Sequence, residues 1–262
     1  MKKVMMVAVA AAFITGVTQS AAKTCIWTGG GDGYRFGDTT NWDQAPVDGD
    51  ALVLTNRTEA LLNLTNDLGS VEVPFIAQKL TFTGAGAIHL VGNPLELKGG
   101  QNSTFACPVT NDVDFILTEV NGHTLNLGES KDMSNNTVTG YLVQNGDIRG
   151  TGDVGLILSY ASYAAGSQNS VFNGDIIIPE GDVSGRGTNN GIEYIFRGRV
   201  ICKNINYNSR GTWGAGYRGI MRFYNPGNNI SNLYVTYKKF FTYTEALAKP
   251  PRDMGVPPMK HG

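Results

Sequence analysis

Gly150-Thr151-Gly152-Asp153-Val154-Gly155-Leu156-Ile157-Leu158, followed after a short spacer by Asn169-Ser170-Val171-Phe172-Asn173-Gly174-Asp175-Ile176-Ile177-Ile178-Pro179-Glu180-Gly181-Asp182-Val183, is the stretch that decides how this chain folds. Leu156/Leu158 and Ile176/Ile178 are spaced by two, which places apolar side chains on one face of a short strand. Gly150 to Gly152 and Asn173-Gly174 supply turns, because Gly and Asn tolerate positive φ. The same grammar runs through the chain. Leu80/Phe82, Ile88/Leu90, Leu95/Leu97, Val113/Phe115/Leu117 and Leu125/Leu127 repeat the spacing, and Gly84 to Gly86, Gly92-Asn93-Pro94, Gly99-Gly100, Asn121-Gly122 and Asn145-Gly146 punctuate it. Sustained helical periodicity is missing after residue 22, apart from a short turn expected over 244–248. The expectation is an all-β fold in which short strands stack coil on coil as a β-solenoid, each coil burying its inward side chains against the next. An antiparallel β-sandwich is the alternative, since strands recurring every 7 to 12 residues or so suit it equally.

Composition agrees with many tight turns and few solvated helices: 41% of residues are hydrophobic, 16% are charged, and 34 of 262 are Gly. The start of the chain reads as an export leader. Lys2 and Lys3 are followed by an apolar run over 4–17, and then by small residues Ser20, Ala21 and Ala22 at the expected cleavage site. That run is shorter than the roughly 20 residues a bilayer span needs. Residues 1–22 are therefore expected to be removed, leaving a secreted or cell-surface chain from Lys23 with no transmembrane segment. A single solenoid domain is expected over 23–248, with a cap region at 23–60, and a Pro-rich disordered tail over 249–262. Cys25, Cys107 and Cys202 are too sparse for a disulfide framework; one bridge, or three buried thiols, are the readings open.

Charge is unevenly spread. Residues 23–193 hold 20 acidic and 8 basic side chains, whereas 194–244 hold 8 basic and no acidic ones, interleaved with aromatics. Aromatic and basic groups together can stack on and pair with an acidic polymer, and the expected partner of an exported protein is an anionic glycan or extracellular matrix rather than nucleic acid. Trp213, Tyr217, Arg218 and Arg222 are the contacts this reading selects. The competing reading places the aromatics in the core and the basic residues on its solvated face, against neighbouring acidic rungs.

Other constellations are weaker. Asp32, Asp38, Asp48 and Asp50 near Gly29-Gly30-Gly31 suggest calcium, which takes several carboxylate oxygens; the alternative is a turn and cap, with Trp27 and Trp42 closing the end of the rod. Asp112 and Asp114, outward on one strand if Val113, Phe115 and Leu117 face in, would form a carboxylate pair able to work on a glycosidic bond. His89, His123 and His261 show no partners for a triad or zinc site. No GxSxG elbow or phosphate loop is present. Neither a catalytic set nor a cofactor is expected.

The two runs around 80–97 and 150–183 resemble the autotransporter-associated β-strand repeats of bacterial surface proteins: a Gly-rich turn, a strand, an Asn-aromatic-Gly turn, a second strand and a closing Gly. The opening Trp27-Thr28-Gly29-Gly30-Gly31-Asp32-Gly33, Asn41-Trp42, Pro46 and Gly49-Asp50 is similar to the start of mature chains in that group. The resemblance implies a right-handed parallel β-helix displayed outside the cell, usually without catalytic activity, as an adhesin-like or structural module. A carbohydrate-binding or polysaccharide-degrading β-helix is the other function open at this point.

Overall fold

A computed structural model describes residues 22–98, 102–118, 123–127, 130–131, 137–138, 140–160, 169–186, 193–208 and 220–235. These residues form three parallel ladders that make the three faces of a β-helix. The first face contains residues 75–77, Leu95–Leu97, Phe115–Leu117, Ile148–Gly150, and residues 176–178 and 200–202. The second runs from Thr24–Ile26 through Asp50–Asn56, residues 79–84, Asn102–Phe105, His123–Leu127, Leu156–Tyr160 and residues 182–186 and 204–208 to the strand Asn229–Val235, whose first residues also pair with 201–202 of the first face. Leu62–Asn66, Ile88–Gly92, Pro108–Asn111, Tyr141–Gln144, Ser170–Phe172, Glu193–Phe196 and Ile220–Phe223 make the third. The long strands Phe75–Gly84, Ile176–Arg186 and Val200–Asn208 run on from the first face to the second. Ladder partners such as Phe75 and Leu95, or Leu156 and Val183, are one full coil apart in sequence.

The parallel pairing excludes the antiparallel sandwich. Among the described strands only Ser130–Lys131 and Thr137–Val138 pair antiparallel, between His123–Leu127 and Tyr141–Gln144 in chain order. Most of the described strands alternate, so that every second residue enters one continuous core: Leu80 and Phe82, Leu95 and Leu97, Leu125 and Leu127, Leu156 and Leu158, and Ile176 and Ile178 are all buried. The ladder brings identical side chains into contact across coils. Phe172, Phe196 and Phe223 share one register position on the third face and stack at 5.2 and 4.8 Å between ring centroids. Phe82 and Phe105 do the same on the second face at 5.0 Å.

One corner, between the third and first faces, repeats as a structural unit. At Asn145-Gly146-Asp147, Asn173-Gly174-Asp175 and Arg197-Gly198-Arg199, the first two N–H groups donate to a single carbonyl of the preceding coil: Asn111, Gln144 and Phe172 respectively. Stacked coils leave no room for a Cβ there. One placed on Gly174 would overlap the carbonyl oxygen of Gly146, and one on Gly198 that of Gly174. The glycines of this column are therefore required by close approach, which the turn-forming tendency of Gly alone does not convey.

The first coil is closed by side chains. Trp27, Phe36 and Trp42 are buried against one another, with ring centroids 5.0 to 5.8 Å apart, and the Trp42 indole N–H donates to the Phe36 carbonyl at 2.8 Å. The outer edge of Thr24–Ile26 is covered by 41–44: Asp43 N–H donates to the Ile26 carbonyl, the Asp43 carboxylate accepts the Ile26 N–H, and Gln44 caps the Thr24 carbonyl. Unpaired edge groups that would template further strands are thereby satisfied. The lid expected of Trp27 and Trp42 is present, with Phe36 as a third member.

Candidate functional site

The four aspartates considered for calcium serve the cap separately. Asn41, fully buried, is its hub: its carbonyl oxygen accepts the N–H groups of Gly31 and Gly33, and its amide donates to Asp32 and to the Arg35 carbonyl. Asp32 accepts the Tyr34 and Arg35 N–H groups and the Arg35 guanidinium. Desolvation at Asp32 works to raise its pKa, but these donors prevail and hold it well below the carboxylate range. Asp38 caps the turn at Thr39–Asn41 through the Thr40 N–H and hydroxyl, and also accepts the Asp32 N–H. Asp48 accepts the Ile76 N–H at 2.9 Å, joining the cap to the second coil. Asp50 is buried among the Lys23 and Val47 N–H groups and the Cys25 thiol. Among the described residues, no group of three or more His, Cys, Asp or Glu side chains is placed to hold a metal ion.

The carboxylate pair considered at Asp112 and Asp114 does not lie on one strand. The strand begins at Phe115, so residues 112–114 form the corner, and its two carboxylates enter two different columns. Asp112 lies 2.8 Å from His89 Nε2 and accepts from Asn145, whose own side-chain oxygen accepts from Asn173. Burial raises the Asp112 pKa, and the Asn145 and His89 hydrogen bonds more than offset it, leaving the group below its ordinary value. Asp114 accepts the Asp147 N–H, Asp147 accepts the Asp175 N–H, and Asp175 accepts the Arg199 N–H, at 2.7 to 2.8 Å. Arg149 and Arg199 neutralise this second column through Asp147 and Asp175. Inter-coil cross-linking, rather than acid and nucleophile, is the role the geometry gives these groups.

His123 has partners that the sequence did not reveal. It is fully buried, with Nε2 2.9 Å from Ser103 Oγ and Nδ1 3.2 Å from the Lys98 carbonyl. Since a carbonyl only accepts, Nδ1 carries the proton; Nε2 then accepts the Ser103 hydroxyl proton, and Ser103 Oγ accepts the Leu80 N–H at 2.9 Å. Burial pushes the His123 pKa down to about 4, against a smaller opposing pull from the Lys98 carbonyl. A serine and a histidine in contact suggest a nucleophile and its base, but both are sealed from water and substrate. Their work is to satisfy a ladder N–H and a carbonyl inside the second face.

Of the four residues selected as polymer contacts, Trp213, Tyr217 and Arg218 lie outside the described residues. Arg222 is held by Glu193 of the preceding coil in a two-pronged ion pair, both contacts at 2.6 Å. Tyr194, Phe196 and Phe223 are buried core. Here Arg222 faces an acidic rung and these three aromatics face inward, the arrangement described by the competing reading. The three cysteines are buried free thiols, whose desolvation pushes each pKa up to about 12.

A further polar surface lies outside these predicted sites. On the outside of the second face, Thr81, Thr104, Asn126 and Ser159 occupy successive rungs of one column, and Asn102, Thr124, Ile157, Ser184 and Asn206 those of the next. All are exposed or half-buried. Rungs lie about 4.8 Å apart and the columns about 7 Å apart, giving a grid of hydroxyl and amide groups interrupted by Ile157. Its signal in the sequence is the polar member of each alternation, Thr81-Phe82-Thr83, Asn102-Ser103-Thr104, Thr124-Leu125-Asn126 and Asn204-Ile205-Asn206, which attracts little notice beside the apolar partners.

No helix among the described residues is long and apolar enough to cross a membrane. Compared with known proteins, the chain matches no protein-family model, no curated protein and no solved structure.

Proposed function

We propose that the chain is an exported, non-catalytic β-solenoid that works outside the cell as an adhesin-like or structural display module, in keeping with its resemblance to autotransporter-associated β-strand repeats. The observation that carries this reading is the way the polar chemistry is used: Asp112, Asp114, Asp147, Asp175, His123 and Ser103 bind neighbouring coils, and the outer second face offers repeated hydroxyl and amide groups on a rigid frame. Repeated donors and acceptors at fixed spacing suit a partner that itself repeats, so a polyhydroxylated glycan or matrix polymer is the partner class. The grid also supports the second reading, carbohydrate binding as the principal activity.

A glycan and matrix binding screen on the exported protein tests the proposal. Retention that is lost on Thr104→Lys plus Asn126→Lys, with an unchanged melting temperature, supports contact through the second face. Release of reducing ends or unsaturated sugars from any polysaccharide in the screen would replace the display reading with an enzymatic one.

A further inference from the structure

Asp50 is 2% exposed, at the junction of the cap and the first full coil. One carboxylate oxygen accepts the backbone N–H of Lys23 at 3.0 Å; the other accepts the Val47 N–H at 2.9 Å and the Cys25 thiol at 3.5 Å. Among the described residues the cation that reaches it is the Lys23 ammonium, at 3.9 Å, and that group is one-third exposed and donates to the Ala45 carbonyl. A buried carboxylate served by neutral donors and one distant, partly solvated charge is costly to desolvate. One of the two backbone nitrogens that donate to it, at 3.0 Å, is the one in the Ala22–Lys23 peptide bond. Ala22 is exposed, Ser20, Ala21 and Ala22 are small, and the Lys23 carbonyl is already fixed by the Ala51 N–H at 2.8 Å.

We propose that the chain is cut between Ala22 and Lys23, and that the new α-ammonium of Lys23 docks on buried Asp50, making the processed terminus part of the first coil. The inference rests on reading residues 1–22 as an export leader. Hydrolysis adds water across the bond: hydroxyl goes to the Ala22 carbonyl carbon, and hydrogen to the Lys23 nitrogen, which takes a further proton at neutral pH. A single neutral N–H donor thereby becomes a charged donor at the same place, and the pair becomes a buried ion pair with hydrogen bonds on both carboxylate oxygens. The position is specific to one bond. Cleavage one residue earlier would place the ammonium on Ala22, about 3.8 Å of chain farther along, and leave Asp50 facing a neutral amide.

The test begins with the full chain expressed with its leader in a bacterium that exports it, and the intact mass of the exported product. A product starting at Lys23 is expected. A different start overturns the docking while leaving export standing, and an uncut chain overturns both. The product is then treated with an amine-acylating reagent at neutral pH, folded and denatured. The Lys23 α-amine is expected to react at least about tenfold more slowly in the folded protein, because each pK unit gained by the ammonium removes a tenfold share of reactive free amine. Equal rates would overturn the proposal. Asp50→Asn and a variant with one glycine inserted between Ala22 and Lys23 should each lower the melting temperature, and combining them should lower it little further, as expected for two changes that remove one interaction. Additive losses would contradict the pairing, and the acylation comparison decides the matter if Asp50→Asn does not fold.

Discussion

Truncating Phe196 to Ala should remove the centre of the aromatic column and reveal whether coils depend only on their neighbours. The ring is fully buried between Phe172 and Phe223, nearly parallel to both at 17° and 10°. Phe→Ala in a packed core costs about 3–5 kcal/mol. Loss of two ring contacts, each worth about 0.5–1.5 kcal/mol beyond area burial, puts this site in the upper half of that range. The flanking rings cannot close the gap, because the rungs carrying them are held about 4.8 Å apart by the ladder. Urea unfolding measures the total, and amide exchange measures where it falls. In a stack whose stability sums over nearest-neighbour contacts, protection should collapse around Ser170–Phe172, Glu193–Phe196 and Ile220–Phe223 and persist at Asp50–Asn56 and Phe75–Gly84. A loss below about 1 kcal/mol would refute the packing argument; an equal loss of protection at both ends would refute the neighbour-by-neighbour one.

Gly174→Ala should cost about 1–3 kcal/mol by overpacking against the Gly146 carbonyl, whereas Asn173→Ala, which removes one exposed side-chain bond to Asn145, should cost about 1 kcal/mol or less; chemical denaturation of the pair checks the order. His123 is neutral in the fold, with a pKa of about 4 against the ordinary 6.5, so between those values the unfolded chain binds a proton that the folded chain refuses. Stability is therefore complete above pH 6.5 and falls as pH drops toward 4, by about 3 kcal/mol in all from this group. Asp32, Asp38, Asp112 and Asp175, held below their ordinary values, add further losses below the carboxylate range. Unfolding free energies at pH 7 and pH 4.5 for the natural chain and His123→Gln test this, and equal pH slopes would count against it. The thiols of Cys25, Cys107 and Cys202 should ignore a thiol-reactive dye at pH 8 in the folded protein and all react in guanidinium.

The solenoid was legible in the sequence because a strand buried on one side must alternate, and Leu80/Phe82, Leu156/Leu158 and Ile176/Ile178 do so between Gly-Asn corners. Choosing parallel coils over a sandwich required knowing which strands pair, and spacing carries no information about partners. The same gap explains the misplacement of Asp112 and Asp114: period-two reasoning extended the strand through Val113, which is buried by the corner. His123 gave no signal because its partners, Ser103 and the Lys98 carbonyl, lie one coil earlier. Arg222 stayed open between polymer contact and pairing with an acidic rung for a similar reason, since Glu193 is 29 residues away in sequence and adjacent in space. The cap was legible through its tryptophans, while Phe36 and the Asn41 hub became visible only with the chain folded back on itself.

Everything rests on coils stacking in register, and a distance measurement tests that most directly. On the outside of the third face, Asn63, His89, Thr110, Val143, Val171 and Ile195 follow one another on successive rungs. Spin labels on cysteines introduced at Asn63 and Val143 should give backbone separations of about 14 Å, and at Asn63 and Ile195 of about 24 Å, three and five rungs at about 4.8 Å each. Separations that fail to grow with the number of rungs would contradict the parallel β-helix and all that follows from it.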